Sequence, residues 1–189
     1  MRTEHAIDCD MGRDCLCGAG RMSLVGFKAN NHRQQVAKRG ALDTIDDRAT
    51  PEALFNEYER RFDFTLDAAA SDENTKCIRW HTIKTNGLER KWTGERVWCN
   101  PPYSDLASWV AKAWRETEAA PVIVMLVPAN RTKQAWWQDF VEPHRDRPGS
   151  RLRVEFRRGR DRFIRAGATS IGPNERPPFG CAALIWRAP

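Results

Sequence analysis

Four consecutive residues, Asn100-Pro101-Pro102-Tyr103, carry the most specific chemistry in the chain. The lone pair of an exocyclic amine on a nucleobase is delocalised into the ring, so that nitrogen is a poor nucleophile. Two acceptors aimed at its two N–H protons draw it towards tetrahedral geometry. The Asn100 side-chain oxygen and the Pro101 backbone carbonyl are such a pair. The Pro101-Pro102 unit, with fixed φ and no N–H to pair, holds that carbonyl in a cleft. Tyr103 offers an aromatic face on which an unstacked base can lie. Catalysis by such a group is positioning of the amine in line with an electrophilic methyl, and it requires no strong base. The alternative is a plain Pro-Pro turn closing a strand.

The context favours the chemical reading. Arg96-Val97-Trp98-Cys99 reads as a short strand that the prolines stop. Ser104 is placed to cap the following helix, in which Leu106, Trp109, Val110, Ala113 and Trp114 repeat at helical spacing. Val122 to Val127 is an unbroken apolar run ended by Pro128, the pattern of a strand buried on both faces. A helix is expected from about Thr132 to Val141. Upstream, Thr50 is expected as an N-cap with Pro51 in the first helical position, ahead of Leu54, Phe55, Tyr58 and Phe62 on one face. Phe64-Thr65-Leu66 reads as a strand ending at Asp67, with small residues Ala68, Ala69 and Ala70 after it. Leu152, Val154 and Phe156 alternate with charged residues. A turn at Arg158-Gly159-Arg160 and a return strand starting at Phe163-Ile164 would make a C-terminal antiparallel hairpin, before a last strand from Ala182 to Trp186. Strands alternating with helices predict an α/β domain with a mostly parallel sheet. Ligands of such sheets bind beyond the carboxyl ends of the strands, where Asp67 and Asn100 both stand.

A length of 189 residues fits one domain with a substantial core. Residues 1–47 are polar and without sustained periodicity, and read as a poorly ordered extension; 48–189 form the expected domain. No apolar run approaches the roughly 18 residues that span a bilayer, and the N-terminus lacks a secretory layout, so a soluble, cytoplasmic protein without membrane contact is expected. Of six cysteines, Cys99 and Cys181 sit in apolar contexts and read as buried thiols. Cys9, Cys15 and Cys17 with His5 match no common zinc spacing, so no metal is expected. The net charge is +6, and its placement is uneven: nine arginines between Arg145 and Arg165 face only Asp146, Glu155 and Asp161. A localised arginine excess is the footprint of a polyanion, set against the reading of an ordinary solvated surface.

From Ala49 to Trp186 the sequence resembles the phage-type DNA N-6-adenine methyltransferases. The matching pieces run in order: Ala49-Thr50-Pro51, Phe64 to Ala70, Asn74 to Cys77, Gly87-Leu88 with Trp92, Gly94 to Tyr103, Val124 to Ala129, and Gly159-Arg160. The resemblance implies a Rossmann-like S-adenosylmethionine-dependent methyltransferase fold and methyl transfer from S-adenosylmethionine to adenine N6 in double-stranded DNA. It implies cofactor contacts from Thr50, Pro51, Asp67, Ala68, Ala69 and Asn86, and a base site of Asn100, Pro101, Pro102 and Tyr103. An asparagine at the motif's head is similar to adenine-N6 rather than cytosine-N4 enzymes. Two departures stand out: Asn86 occupies a position where the family tends to have aspartate, and the Asp67 segment lacks the glycines usual in the wider superfamily. DNA contacts are expected from Arg157, Arg158, Arg160, Arg162 and Arg165, and from the loop to Arg176; no obligatory protein partner is implied. Rival readings are an RNA adenine or protein glutamine methyltransferase, and a non-catalytic nucleic-acid-binding protein that keeps the fold.

Overall fold

The computed structural model describes residues 46, 48–165, 168–172 and 179–188; the expected extension therefore lies, Asp46 apart, outside the described residues. Helix α1, Glu52–Phe62, buries Leu54, Phe55, Tyr58 and Phe62 along one face, as its 3.6-residue spacing requires. Thr50 is not its cap. Pro51 is extended (φ −61°, ψ 145°) and its carbonyl accepts from the Leu54 and Phe55 N–H groups, both at 3.1 Å, so the helix starts one residue later than the sequence suggests. Asp63, left-handed at φ 49°, ends it.

Six strands form one sheet: β1 (Leu66–Asp67), β2 (Arg79–Trp80), β3 (Arg96–Cys99), β4 (Val122–Pro128), β5 (Leu152–Phe156) and β6 (Cys181–Arg187). Their order is β2-β1-β3-β4-β6-β5. The first four are parallel, and β6 runs antiparallel to both its neighbours. Helix α2 (Leu106–Glu116) follows the Asn-Pro-Pro-Tyr segment, and α3 (Ala135–Phe140) follows β4 through a single 3-10 turn, Ala129–Arg131. Asp105 rather than Ser104 caps α2, accepting from the Ser108 N–H at 3.4 Å.

Alternation along β4 divides the core into two layers. Ile123, Met125 and Val127 pack with Leu106, Trp109, Val110, Trp136 and Trp137. Val122, Val124 and Leu126 pack with the apolar face of α1 and with Trp98 and Phe163. The strand is buried throughout because helices cover both faces.

The expected return strand at Phe163-Ile164 does not form. Ile164 makes an isolated bridge to Ala49, and the antiparallel partner of β5 is β6, with Leu152 opposite Trp186 and Phe156 opposite Ala182. The place between β4 and β5 is buried on both faces. The run Cys181–Trp186 is apolar throughout and fills it; Phe163-Ile164, flanked by Arg162 and Arg165, is not. Among the described residues, no helix is long and apolar enough to cross a membrane.

Candidate active site at the ends of β1 and β3

Parallel pairing sets Leu66 opposite Val97 and Asp67 opposite Trp98, and the Ala68 N–H donates to the Trp98 carbonyl at 2.9 Å. The chain thus leaves both strands side by side, at the carboxyl edge of the sheet where such folds bind ligands.

Asp67 is 3% exposed, and burial pushes its carboxyl up to about 6, against the pull of two backbone N–H groups. Those donors are Lys76, 3.1 Å from Oδ2, and Ala69, 3.4 Å from Oδ1. The Asp67 carbonyl accepts from the His81 N–H at 2.9 Å, and the His81 carbonyl accepts from Ala70 at 2.9 Å. One side chain and its backbone therefore gather the loop of 68–76 and the start of 81–87 around the strand end. Gly87 closes the arrangement: a Cβ there would drive into the Ala68 carbonyl oxygen and come within 3.1 Å of the Trp109 ring. Asn86 before it adopts φ 50°, a conformation Asn tolerates. Its side-chain oxygen accepts from the Leu88 N–H at 3.2 Å. Gly87 thus lets the two loops approach closely, backbone against backbone.

Trp92, fully buried, fixes that loop by donating from Nε1 to the Gly87 carbonyl at 3.1 Å. Behind it lies a pair that sequence patterning does not reveal, Lys112 and Glu116, 2.5 Å apart and buried at the far side of α2. Glu116 also accepts from the Trp92 N–H at 2.9 Å, and the Lys112 ammonium lies 5.3 Å from the Trp92 ring centre. Both partners satisfied, the pair anchors the loop rather than leaving a stray charge.

Asn100 is arranged differently. Its Nδ2 donates to the Arg48 carbonyl at 3.2 Å, whereas its Oδ1 is buried without a hydrogen-bond partner. With the amide's donor side committed, the oxygen is the side left for an incoming N–H. The segment before α1 acts as a strap across this motif: the Asp46 carboxylate accepts from the Ser104 N–H at 3.0 Å, Arg48 holds Asn100, and Ala49 pairs with Ile164. Thr50 (buried) and Pro51 (half-buried) follow directly. A backbone carbonyl leaves no mark in a sequence, so Arg48's contribution has no signal there. Pro101 is buried; Tyr103 is 8% exposed, with the Phe179 ring edge-on at 6.0 Å, and its hydroxyl lies unpaired beside the buried Cys181 thiol. Burial pushes the tyrosine hydroxyl and both the Cys99 and Cys181 thiols up, so all three are neutral fillers of this wall.

The arginines after β5 divide sharply. Arg157 is spent inside the protein: Glu57 of α1 holds it through both oxygens at 3.0 Å, Asp161 lies at 2.8 Å, and the Tyr58 hydroxyl at 3.3 Å. Arg162 is half-buried and donates to the Gly172 carbonyl. Arg158, Arg160 and Arg165 are exposed. Because β5 is antiparallel to β6, and β6 to β4, the chain leaves β5 towards Arg158 and Arg160 at the same edge of the sheet as Asp67 and Asn100. Arg176, and the His5, Cys9, Cys15 and Cys17 group, lie outside the described residues. Among the described residues no cluster of His, Cys, Asp or Glu could hold a metal ion.

A buried carboxylate and an orphaned amide oxygen thus stand at adjacent parallel strand ends of a mixed α/β sheet. The family model described as DNA N-6-adenine-methyltransferase (Dam) matches residues 39–187, and the chain belongs to that family. It is similar to the DNA N-6-adenine-methyltransferase of Escherichia phage T1, 39% identical over 93 residues, which are 48% of this chain and 39% of the relative. It is also similar to the protein of that name from Haemophilus phage HP1 (strain HP1c1), 39% identical over 67 residues, 34% of this chain and 39% of the relative. The matched segments thus span about two fifths of the length of these curated relatives.

Proposed function

We propose that this protein transfers a methyl group from S-adenosylmethionine to N6 of adenine in double-stranded DNA, on a Rossmann-like methyltransferase fold. The observation that carries the reading is the Asn100 side chain: Oδ1 buried and unpartnered, Nδ2 tied to Arg48. A buried acceptor without a donor costs free energy and awaits one. In this reading Oδ1 accepts one N–H of the adenine amine and the Pro101 carbonyl accepts the other, which concentrates the lone pair on nitrogen. Pro102 stiffens the turn, and Tyr103 supplies an aromatic wall once Phe179 yields the face.

The residues on the neighbouring strand end suit the cofactor. A carboxylate has about four acceptor positions. Asp67 uses two of them on Lys76 and Ala69, leaving capacity for a cationic group. Burial has raised its pKa, and a cation would offset that cost. In this reading Ala68 and Ala69 keep the strand end free of bulk, Thr50 and Pro51 contribute from the end of the strap, and Asn86 contributes from the loop before Gly87. S-adenosylmethionine brings an electrophilic sulfonium methyl. Exposed Arg158, Arg160 and Arg165, with Arg162 behind them, are the phosphate contacts in this reading; Arg157 instead braces their segment against α1.

Transfer of labelled methyl from S-adenosylmethionine to unmethylated DNA, with Asn100→Ala as control, tests the reading. N6-methyladenine after digestion to nucleosides, from the wild type only, is the expected result. Label in RNA or protein but not in DNA, or cofactor binding with no transfer at all, would refute it.

A further inference from the structure

The edge of the sheet beside β1 carries side chains that the fold leaves in water. Ile78 is 92% exposed, Ile83 96% and Trp80 39%. Single exposed apolar residues are ordinary on protein surfaces; three large ones within six positions mark a contact surface. They stand on ordered backbone. Trp80 is tied through Nε1 to the Asp72 carboxylate at 2.9 Å. Ile83 sits in a turn closed by Thr82 N–H to Thr85 Oγ1 at 2.8 Å and Asn86 N–H to the Thr82 carbonyl at 2.9 Å.

The position of Ile83 relative to the motif follows from the sheet. β2 is parallel to β1, and β1 to β3, so the chain leaves β2 towards Ile83 at the edge that holds Asp67 and Asn100. Two strand spacings separate β2 from β3, about 10 Å. Three stacked bases cover about the same distance, at ~3.4 Å each.

Charge selects the occupant. From Lys76 to Lys91 the chain has five cations and a single carboxylate, Glu89. Lys76 pairs with Glu52 and Arg79 with Glu95, which leaves Lys84, Arg90 and Lys91 as the cations of this surface. Lys84, next to Ile83, and Lys91 are exposed. Apolar side chains bordered by cations suit a duplex that is held at its phosphates and opened between its bases. An apolar surface meant for a second copy of the chain would gain nothing from the cations.

We propose that Ile83, supported by Ile78 and Trp80, is a wedge that enters the duplex beside the target adenine and holds the base out of the stack. The proposal rests on the adenine methyltransferase reading above. It gives the DNA two handholds, one on each side of the motif: arginines past β5 and an apolar wedge past β2.

The test compares wild type with the surface variants Ile83→Ser and Ile78→Ser/Ile83→Ser, on a duplex carrying the sequence that the wild type methylates. The same duplex with the target adenine mispaired is already partly unstacked. The double variant is expected to lose roughly tenfold or more in transfer to the paired duplex and less than about threefold on the mispaired one. Equal rates on the paired duplex, or equal losses on both, would overturn the wedge while leaving the methyltransferase reading intact. A wild type that methylates no DNA would overturn that reading instead. The wedge then stands or falls on the fluorescence of 2-aminopurine within the bound duplex, which rises on unstacking without methyl transfer. A rise with wild type that the double variant lacks supports it, and no difference overturns it. A change in sedimentation of the variant without DNA would assign the patch to a second copy of the chain and overturn the proposal.

Discussion

Asp67 and Asn100 stand at the ends of adjacent parallel strands, and their side chains are in opposite conditions. The Asp67 carboxylate is enclosed by its own loop, with a backbone donor on each oxygen. The Asn100 amide has its donor fixed and its acceptor empty. A group held by its own loop builds the shape of a site and keeps only part of its capacity for a ligand, whereas one with an empty acceptor waits for a donor. The contrast predicts different failures. Loss of Asp67 should damage the structure and the affinity for a cation, whereas loss of Asn100 should damage chiefly the step in which an N–H is presented, beyond the one bond to the Arg48 carbonyl.

Asn100→Ala is expected to show the largest effect. Transfer should fall on the order of 100-fold or more, the scale on which removal of one aimed hydrogen-bonding group slows a reaction. Cofactor affinity should stay close to wild type, and the thermal midpoint should fall only slightly, by the lost Nδ2 bond to the Arg48 carbonyl, because Oδ1 has no hydrogen-bond partner within the protein. A variant that melts early would break the comparison, since Asn100 would then be a structural residue like its neighbour.

Asp67→Ala reverses that profile. It leaves the part-buried Lys76 and Ala69 N–H groups without their acceptors, at up to about 1–3 kcal/mol each and less where water reaches them. Chemical denaturation should register this before any assay of activity. Asp67→Asn, which keeps an acceptor at one oxygen, should recover part of the stability but not the attraction for a cation. Gly87→Ala presses on the same place from the opposing loop, where the Ala68 carbonyl leaves no room for a methyl group. It should destabilise without touching Asn100.

The Asp67 carboxyl also gives the contrast a pH signature, because Asn100 does not titrate. Its folded pKa, about 6, lies above the ordinary value of 3.8. Between those two values the folded state binds the proton that the unfolded state has released. This group's contribution to stability is therefore full below about pH 4, declines at up to roughly 1 kcal/mol per pH unit, and is lost above pH 6. The slope should vanish in Asp67→Asn. Affinity for a cationic cofactor should move the other way and strengthen as pH rises through 6, when the carboxylate forms. Calorimetric titration at pH 5 and pH 7 checks the sign; equal affinities would remove Asp67 from the cofactor site.

What could be read in advance followed the chemistry of side chains in regular patterns. The apolar run of β4 and the helical repeat of α2 were legible because burial on two faces, or on one, dictates those spacings. Asp67 and Asn100 were legible because each ends an apolar run. Strand β2 was not: its two residues are exposed and show no alternation, and pairing with β1 alone makes them a strand. Local sequence favours the nearest turn and so points to Phe163-Ile164 as the return strand of a hairpin. The sheet instead recruited the more apolar β6 across a connection of more than twenty residues. The strap contact from Arg48 had no signal, being made by a backbone atom. Arg157 looked like its neighbours, because carboxylates 100 residues away in sequence cannot be paired by inspection.

Those arginines repeat the contrast between groups held within the protein and groups that wait for a ligand, and give the smallest expected effects. Arg157 corresponds to Asp67: Glu57 and Asp161 occupy its guanidinium, and their hydrogen bonds raise its pKa against the cost of burial. Arg157→Ala should therefore lower the thermal midpoint by releasing the β5 end from α1. Arg158 and Arg160 are exposed. Alanine at either position should leave the midpoint unchanged and weaken duplex binding by only about two- to fivefold at moderate salt. The informative quantity is the salt dependence. Each arginine that neutralises a phosphate should reduce the slope of log affinity against log salt by about 0.9 when removed, whatever the DNA sequence. A loss of affinity confined to one sequence would make that arginine a base reader instead. An unchanged slope would place the phosphates elsewhere, with the cations beside Ile83 as the next positions to replace.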